Sequence, residues 1–243
     1  MEIDLIEIWA SMNNLVRAVV VVLTIQALAC ITVVIDRVLM LLLSQHRARR
    51  FAREAGPRLG AGDYDAALRI AKQHGSSHLA SFIETGLDVF LARQRDGMSR
   101  EKAAEMSKRA LERKGENLSD NLNRGMNVLA STGSTAPFIG LLGTVLGILN
   151  AFKMIAEEGS GGMGTIGSSI AEALIVTGYG LMVAIPSVLV FNWLNGRIAK
   201  YESGLANAGS ELVDQLEAGT VRREGESGET ELEQAPRAVA SAA

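Results

Sequence analysis

The chain has 243 residues, 48% of them hydrophobic and 21% charged, with a formal net charge of -3. A mean hydropathy of +0.18 averages a greasy part with a very polar part, and the weak charge argues against a nucleic-acid partner. The single cysteine, Cys30, excludes an intramolecular disulfide and thiolate metal chemistry.

Residues 1–14 carry Glu2, Asp4 and Glu7 and no Lys or Arg. Residues 15–43 follow as a first membrane-spanning helix, since about 20 helical residues cross the roughly 30 Å hydrocarbon layer. The acidic start and the length of the run do not fit a cleaved secretory leader, so an uncleaved anchor is expected. Asp36 and Arg37 are expected at the exit from the bilayer, as an interface pair. The basic flank His46, Arg47, Arg49, Arg50 and Arg53 marks the cytoplasmic side, which places the N-terminal segment outside.

Residues 44–125 form a cytoplasmic helical region in which the first 81 residues, 44–124, hold sixteen Lys or Arg against eleven Asp or Glu. Gly62-Asp63-Tyr64-Asp65 punctuates two apolar-periodic stretches, and Ser99-Arg100-Glu101-Lys102 opens a long polar helix that is expected to run on into the second span. Residues 60–71 have a slight likeness to a tetratricopeptide half-repeat, but no second copy follows, and a helical hairpin is the better reading. His74 and His78 have an i, i+4 spacing; with Gly75-Ser76-Ser77 between them they read as a solvated turn rather than a metal site.

Two further apolar runs give a second span over 126–156 and a third over 166–195, joined by a glycine-rich external loop at 157–165 that carries Glu157 and Glu158 and no basic residue. A cytoplasmic helix continues over 196–218, with Arg197 and Lys200 at its start. The tail 219–243 has too few large apolar residues to fold and is expected to be disordered. The fold class expected is thus all-α: three transmembrane helices, N-terminus out and C-terminus in, with long cytoplasmic helices.

The chemistry concentrates in the last two spans. Glu172 is the one carboxylate inside the third, where a helix-centre acid costs about 2.5–3.5 kcal/mol and by default marks an ion route. No Lys or Arg lies within 166–194 to neutralise it. Either it is protonated at rest or water reaches it. Ser168, Ser169 and Glu172 share a helix face and form a possible flank of the path, whereas Thr177 lies about 140° away in an ideal helix. Thr144 adds a hydroxyl from the second span. Gly140, Gly143 and Gly147 allow close helix packing, and Pro137 and Pro186 are expected to bend their helices. One acid flanked by hydroxyls suggests an incomplete path that other subunits finish, and a closed ring is the usual solution.

The run Leu122 to Ile148, with Thr132-Gly133-Ser134-Thr135-Ala136-Pro137-Phe138-Ile139-Gly140-Leu141-Leu142-Gly143-Thr144 at its centre, resembles the MotA/TolQ/ExbB proton channel family, in particular its ExbB and TolQ branches. Ile170-Ala171-Glu172-Ala173-Leu174-Ile175-Val176-Thr177-Gly178 and Ala184-Ile185-Pro186 continue the likeness. The resemblance implies a stator-type motor subunit of the bacterial inner membrane. It implies a pentamer around an ExbD- or TolR-like partner with one spanning helix, and a possible TonB- or TolA-like protein beyond it. It implies that Thr144, Glu172 and Thr177 line a path for H⁺, with no cofactor; from the residues themselves, three histidines and one cysteine with no nucleophile-base set, no enzyme activity is expected. ExbB-like, TolQ-like and gliding-motor versions share this core, and the residues alone leave a non-conducting scaffold and a self-sufficient channel as competing readings.

Overall fold

A computed structural model describes Trp9, residues 12–158 and residues 163–218, the side chains of 157, 158 and 163–166 excepted. The sequence expectations for most of 1–14, for the middle of the 157–165 loop and for the 219–243 tail fall outside these residues. Among the described residues all regular structure is α-helical: α1 (Asn14–Gly60), α2 (Tyr64–Gln73), α3 (His78–Arg95), α4 (Arg100–Asn123), α5 (Met126–Glu158) and α6 (Met163–Ala218). Three of them, α1, α5 and α6, are long and apolar enough to cross a membrane. Helices α1 and α6, at 47 and 56 residues, run on without interruption beyond what a bilayer needs. Pro137 and Pro186 lie inside continuous helices, as does Pro57 near the end of α1.

The chain divides into two units, the described parts of 1–36 with 125–194, and of 37–124 with 195–243. In the first, Val16, Val19 and Leu23 of α1 pack with Ala136 of α5 and Val176, Val183 and Ala184 of α6. Leu28, Phe138, Leu149, Leu174 and Met182 are exposed, as expected of helices solvated by lipid.

The second unit fully buries Phe51, Phe90, Leu79, Leu87, Leu122, Ile198 and Leu216. Asp63 caps α2 by accepting from the Ala66 N–H at 3.0 Å, and Gly62 takes a φ of +74°, where a side chain would be strained. Between α3 and α4, Gly86 lies where a Cβ would come within 2.9 Å of Leu111, and the Ser107 hydroxyl donates to the Gly86 carbonyl at 2.8 Å.

Helix ends here are finished from other helices. Helix α4 has no basic residue in its last turn, and the buried Arg37 guanidinium donates to the Asn121 carbonyl at 2.6 Å. Helix α6 likewise lacks a terminal cation. Tyr64 donates to Gln215 O at 3.0 Å and Arg100 to Leu216 O at 2.6 Å. These bonds satisfy carbonyls that have no intrahelical partner and place positive charge at the negative end of each helix dipole.

Three expectations change. The α4 helix does not run on into the second span: it stops at Asn123, and Gly125 turns the chain with φ +82°. The residue that breaks the helix is Gly125, while Gly115 is passed through. Arg37, expected as half of a charge pair reaching the bilayer edge, is a buried cap, 9% exposed. His74 and His78 flank a turn, yet both are half-buried and partnered: His74 sits 3.4 Å from Glu54 and against Phe51, and His78 lies 3.1 Å from the Ser44 hydroxyl and edge-on to Tyr201.

Candidate ion-pathway site

The site is built on the seam between α5 and α6, where small residues let the two backbones nearly touch. A Cβ on Gly140 would come within 3.2 Å of the Thr177 Cα and 3.3 Å of the Gly180 Cα. One on Gly180 would come within 2.7 Å of the Ala136 carbonyl, one on Gly143 within 2.5 Å of Val176, and one on Gly147 within 2.6 Å of Ala173. The Gly180 contact is with backbone and the Gly147 contact with a Cβ, neither of which a side-chain rotation relieves, so these two glycines limit the interhelical distance most directly, while Gly140 and Gly143 leave room for Thr177 and Val176.

That closeness decides what Thr177 does. A threonine in a spanning helix commonly bonds back to the carbonyl one turn earlier, as Thr32 does to Leu28 at 2.8 Å. Thr177 instead donates across the seam to the Gly140 carbonyl at 2.9 Å. Thr144 is buried and donates to Leu141 of its own helix at 2.6 Å. Both hydroxyl protons are thus committed within the chain. Their oxygens keep lone pairs for a passing proton donor or water.

Glu172 stands next to Ala173 and one turn before Val176, at the flank of the same seam, half-buried. It takes no hydrogen bond and no ion pair from the described residues, and none joins it to Thr144 or Thr177. Ser168 is exposed and Ser169 half-buried on the turn before it. The structure therefore brings Thr177 and Gly140 together, with Gly143 and Gly147 in the same seam, and leaves Glu172 half-buried beside it. Pro137 is half-buried and Pro186 exposed. Among the described residues no group of three or more His, Cys, Asp or Glu side chains is arranged to hold a metal.

Other polar groups of the spans pair between helices, and the sequence reading passed over them. The Tyr179 hydroxyl lies 3.1 Å from Thr24, Gln26 donates to Thr135 at 3.4 Å, and Asn13 donates to Asn150 at 2.8 Å. One signal was available: Tyr179 is seven residues after Glu172, so an ideal helix returns it to the same face.

These features define an all-helical membrane protein with a lone acid beside a glycine seam. Residues 76–207, more than half the chain, match the MotA/TolQ/ExbB proton channel family. The biopolymer transport protein ExbB of Salmonella typhimurium is 30% identical over 165 residues, which cover 68% of each chain. The chain belongs to the MotA/TolQ/ExbB proton channel family. It is also 42% identical to the ExbB protein of Pseudomonas putida over 93 residues, 38% of this chain and 28% of that one. With the ExbB protein of Neisseria gonorrhoeae it shares 52% identity over 71 residues, 29% of this chain and 32% of the relative. The match thus spans about a third or less of these two relatives, and two thirds of the Salmonella protein.

Proposed function

We propose that this chain is the ring-forming subunit of an inner-membrane stator that couples the proton motive force to mechanical work in the cell envelope. The observation that carries the reading is Glu172, a half-buried acid in a spanning helix with no partner among the described residues of its own chain. Such a group is stable in the membrane when protonated and becomes useful when a second subunit or water accepts its proton. In this reading five copies surround an ExbD- or TolR-like helix whose own carboxylate meets Glu172, with Thr144 and Thr177 lining the approach. Two carboxylates that face each other at low dielectric share one proton, so each proton passing inward alters the attraction between ring and partner. The partner then carries force to a TonB- or TolA-like protein. The N-terminus lies in the periplasm and the C-terminus in the cytoplasm, following the charge bias of the flanks. Membership of the family and the ExbB names of the relatives support the reading.

The test is to co-express the chain with a single-span ExbD-like partner, determine the mass of the detergent-solubilised complex, and compare wild type with Glu172→Gln in proton flux across proteoliposomes. A normally assembled complex that no longer conducts supports the proposal. Wild-type flux in the Gln variant would reduce Glu172 to a structural acid and the chain to a scaffold.

A further inference from the structure

The α5–α6 seam raises a mechanical question. Helices that meet through Gly140, Gly143, Gly147 and Gly180 approach closely but present few ridges to each other, so shape alone resists rotation of α6 about its axis only weakly. Two hydrogen bonds supply what shape lacks. On one flank Thr177 donates to Gly140 O at 2.9 Å. On the other the Tyr179 hydroxyl meets Thr24 Oγ1 of α1 at 3.1 Å.

The direction of the second bond follows from Thr24 itself. Its single hydroxyl proton goes to the Val20 carbonyl at 2.8 Å, so Thr24 is the acceptor and Tyr179 the donor. At about 100° per residue, Thr177 and Tyr179 point about 160° apart, and the two bonds hold opposite sides of the helix. Tyr179 and Glu172 differ by about 20° in direction and roughly 10 Å along the axis. Whatever sets the azimuth of Tyr179 therefore sets that of Glu172. Tyr179 also packs against the buried cluster in which Val16, Val19 and Leu23 of α1 meet Val176 and Val183 of α6, which ties the latch to the core of this unit.

We propose that Tyr179, held by Thr24, is a positioning residue that fixes the direction in which α6 presents Glu172. The proposal rests on the reading of Glu172 as the ion-carrying group, but its geometric part can be tested without it. In the full complex, with Cys30→Ala to remove the native thiol, the modification rate of Glu172→Cys by a small thiol reagent reports how position 172 is presented. Tyr179→Phe and Thr24→Val should each change that rate several-fold, with the double variant no worse than either alone, and Thr24→Ser should keep the original rate. With Glu172 intact, the same two variants should shift the pH midpoint of proton flux while complex yield stays normal. An unchanged labelling rate and midpoint, with only lower thermal stability, would show a plain structural tie and overturn the proposal. If Glu172→Gln conducts like wild type, the ion-carrier reading falls separately, and the labelling rates still decide the latch.

Discussion

Arg37 shows how far a residue's role can depart from its place in the sequence. At the end of an apolar run it reads as a charge at the membrane edge, whereas its guanidinium is buried against the last carbonyls of α4. Removing it leaves buried acceptors unpaired, which costs about 1–3 kcal/mol. We expect Arg37→Met to lower the unfolding midpoint of the detergent-solubilised protein by several degrees, while Arg17, with its guanidinium over Trp9 at an exposed site, tolerates replacement with little change. His78 is the second case. Burial, then the nearby cations Lys114, Arg47 and Arg37, hold its pKa below the ordinary 6.5. The unfolded chain thus takes up a proton before the folded one does, and stability falls as pH drops below about 6.5 until the folded pKa is passed. Above that pH both states are neutral and no dependence arises. His78→Gln should flatten the slope in chemical unfolding curves measured between pH 7.5 and 5; an unchanged slope would assign it to other groups. Tyr201, edge-on to this histidine and 2% exposed, has its phenol pushed up to about 12 by burial, an effect the Ser44 hydroxyl partly offsets, and so stays neutral throughout.

At the scale of the element, glycines divide into those that set a distance and those that do not. A methyl group on Gly180 would meet the Ala136 carbonyl at 2.7 Å, whereas one on Gly178, two residues away, would have nothing within 4 Å. Gly180→Ala must push α5 and α6 apart and should reduce both assembly yield and thermal stability. Gly178→Ala should be neutral or stabilise slightly, by at most about 1 kcal/mol of helix propensity, when the two are compared by thermal unfolding in the same detergent. Sequence reading found the three spans because about 20 apolar residues in a row have few other uses, and it found Glu172 because one acid among them stands out. It singled out Gly140, Gly143 and Gly147 as small residues for close helix packing. It could not find Gly180 or the bond from Thr177 to Gly140, since those depend on the register between two helices, and register is a property of the pair. The end of α4 was missed for a related reason: Gly115 and Gly125 look alike in sequence, and only the second takes the left-handed conformation that no other residue adopts cheaply.

On the scale of the whole molecule, both units are assembled from pieces far apart in sequence. The second unit needs the end of α6: Gln215 and Leu216 accept from Tyr64 and Arg100, and Gly209 receives the Phe82 ring where a Cβ would lie within 2.9 Å. A fragment of residues 37–124 should therefore show weak, non-cooperative helical signal by circular dichroism, and addition of a peptide covering 195–218 should restore a cooperative transition. A fragment that folds fully alone would show that the α6 segment only decorates a finished core. The division into units was beyond sequence reading because it cuts α1 and α6 at points where their helical pattern continues unchanged. That interleaving also has a consequence in time. Translation at about 5–20 residues per second delivers the 37–124 segment roughly 4–14 seconds before residue 195 leaves the ribosome tunnel region. For that interval Phe82 and Leu111 wait without the helix that will cover them, while two membrane spans are still being made. The growing chain is thus most exposed to aggregation and to capture by chaperones midway through its synthesis, at a moment set by the order of its segments.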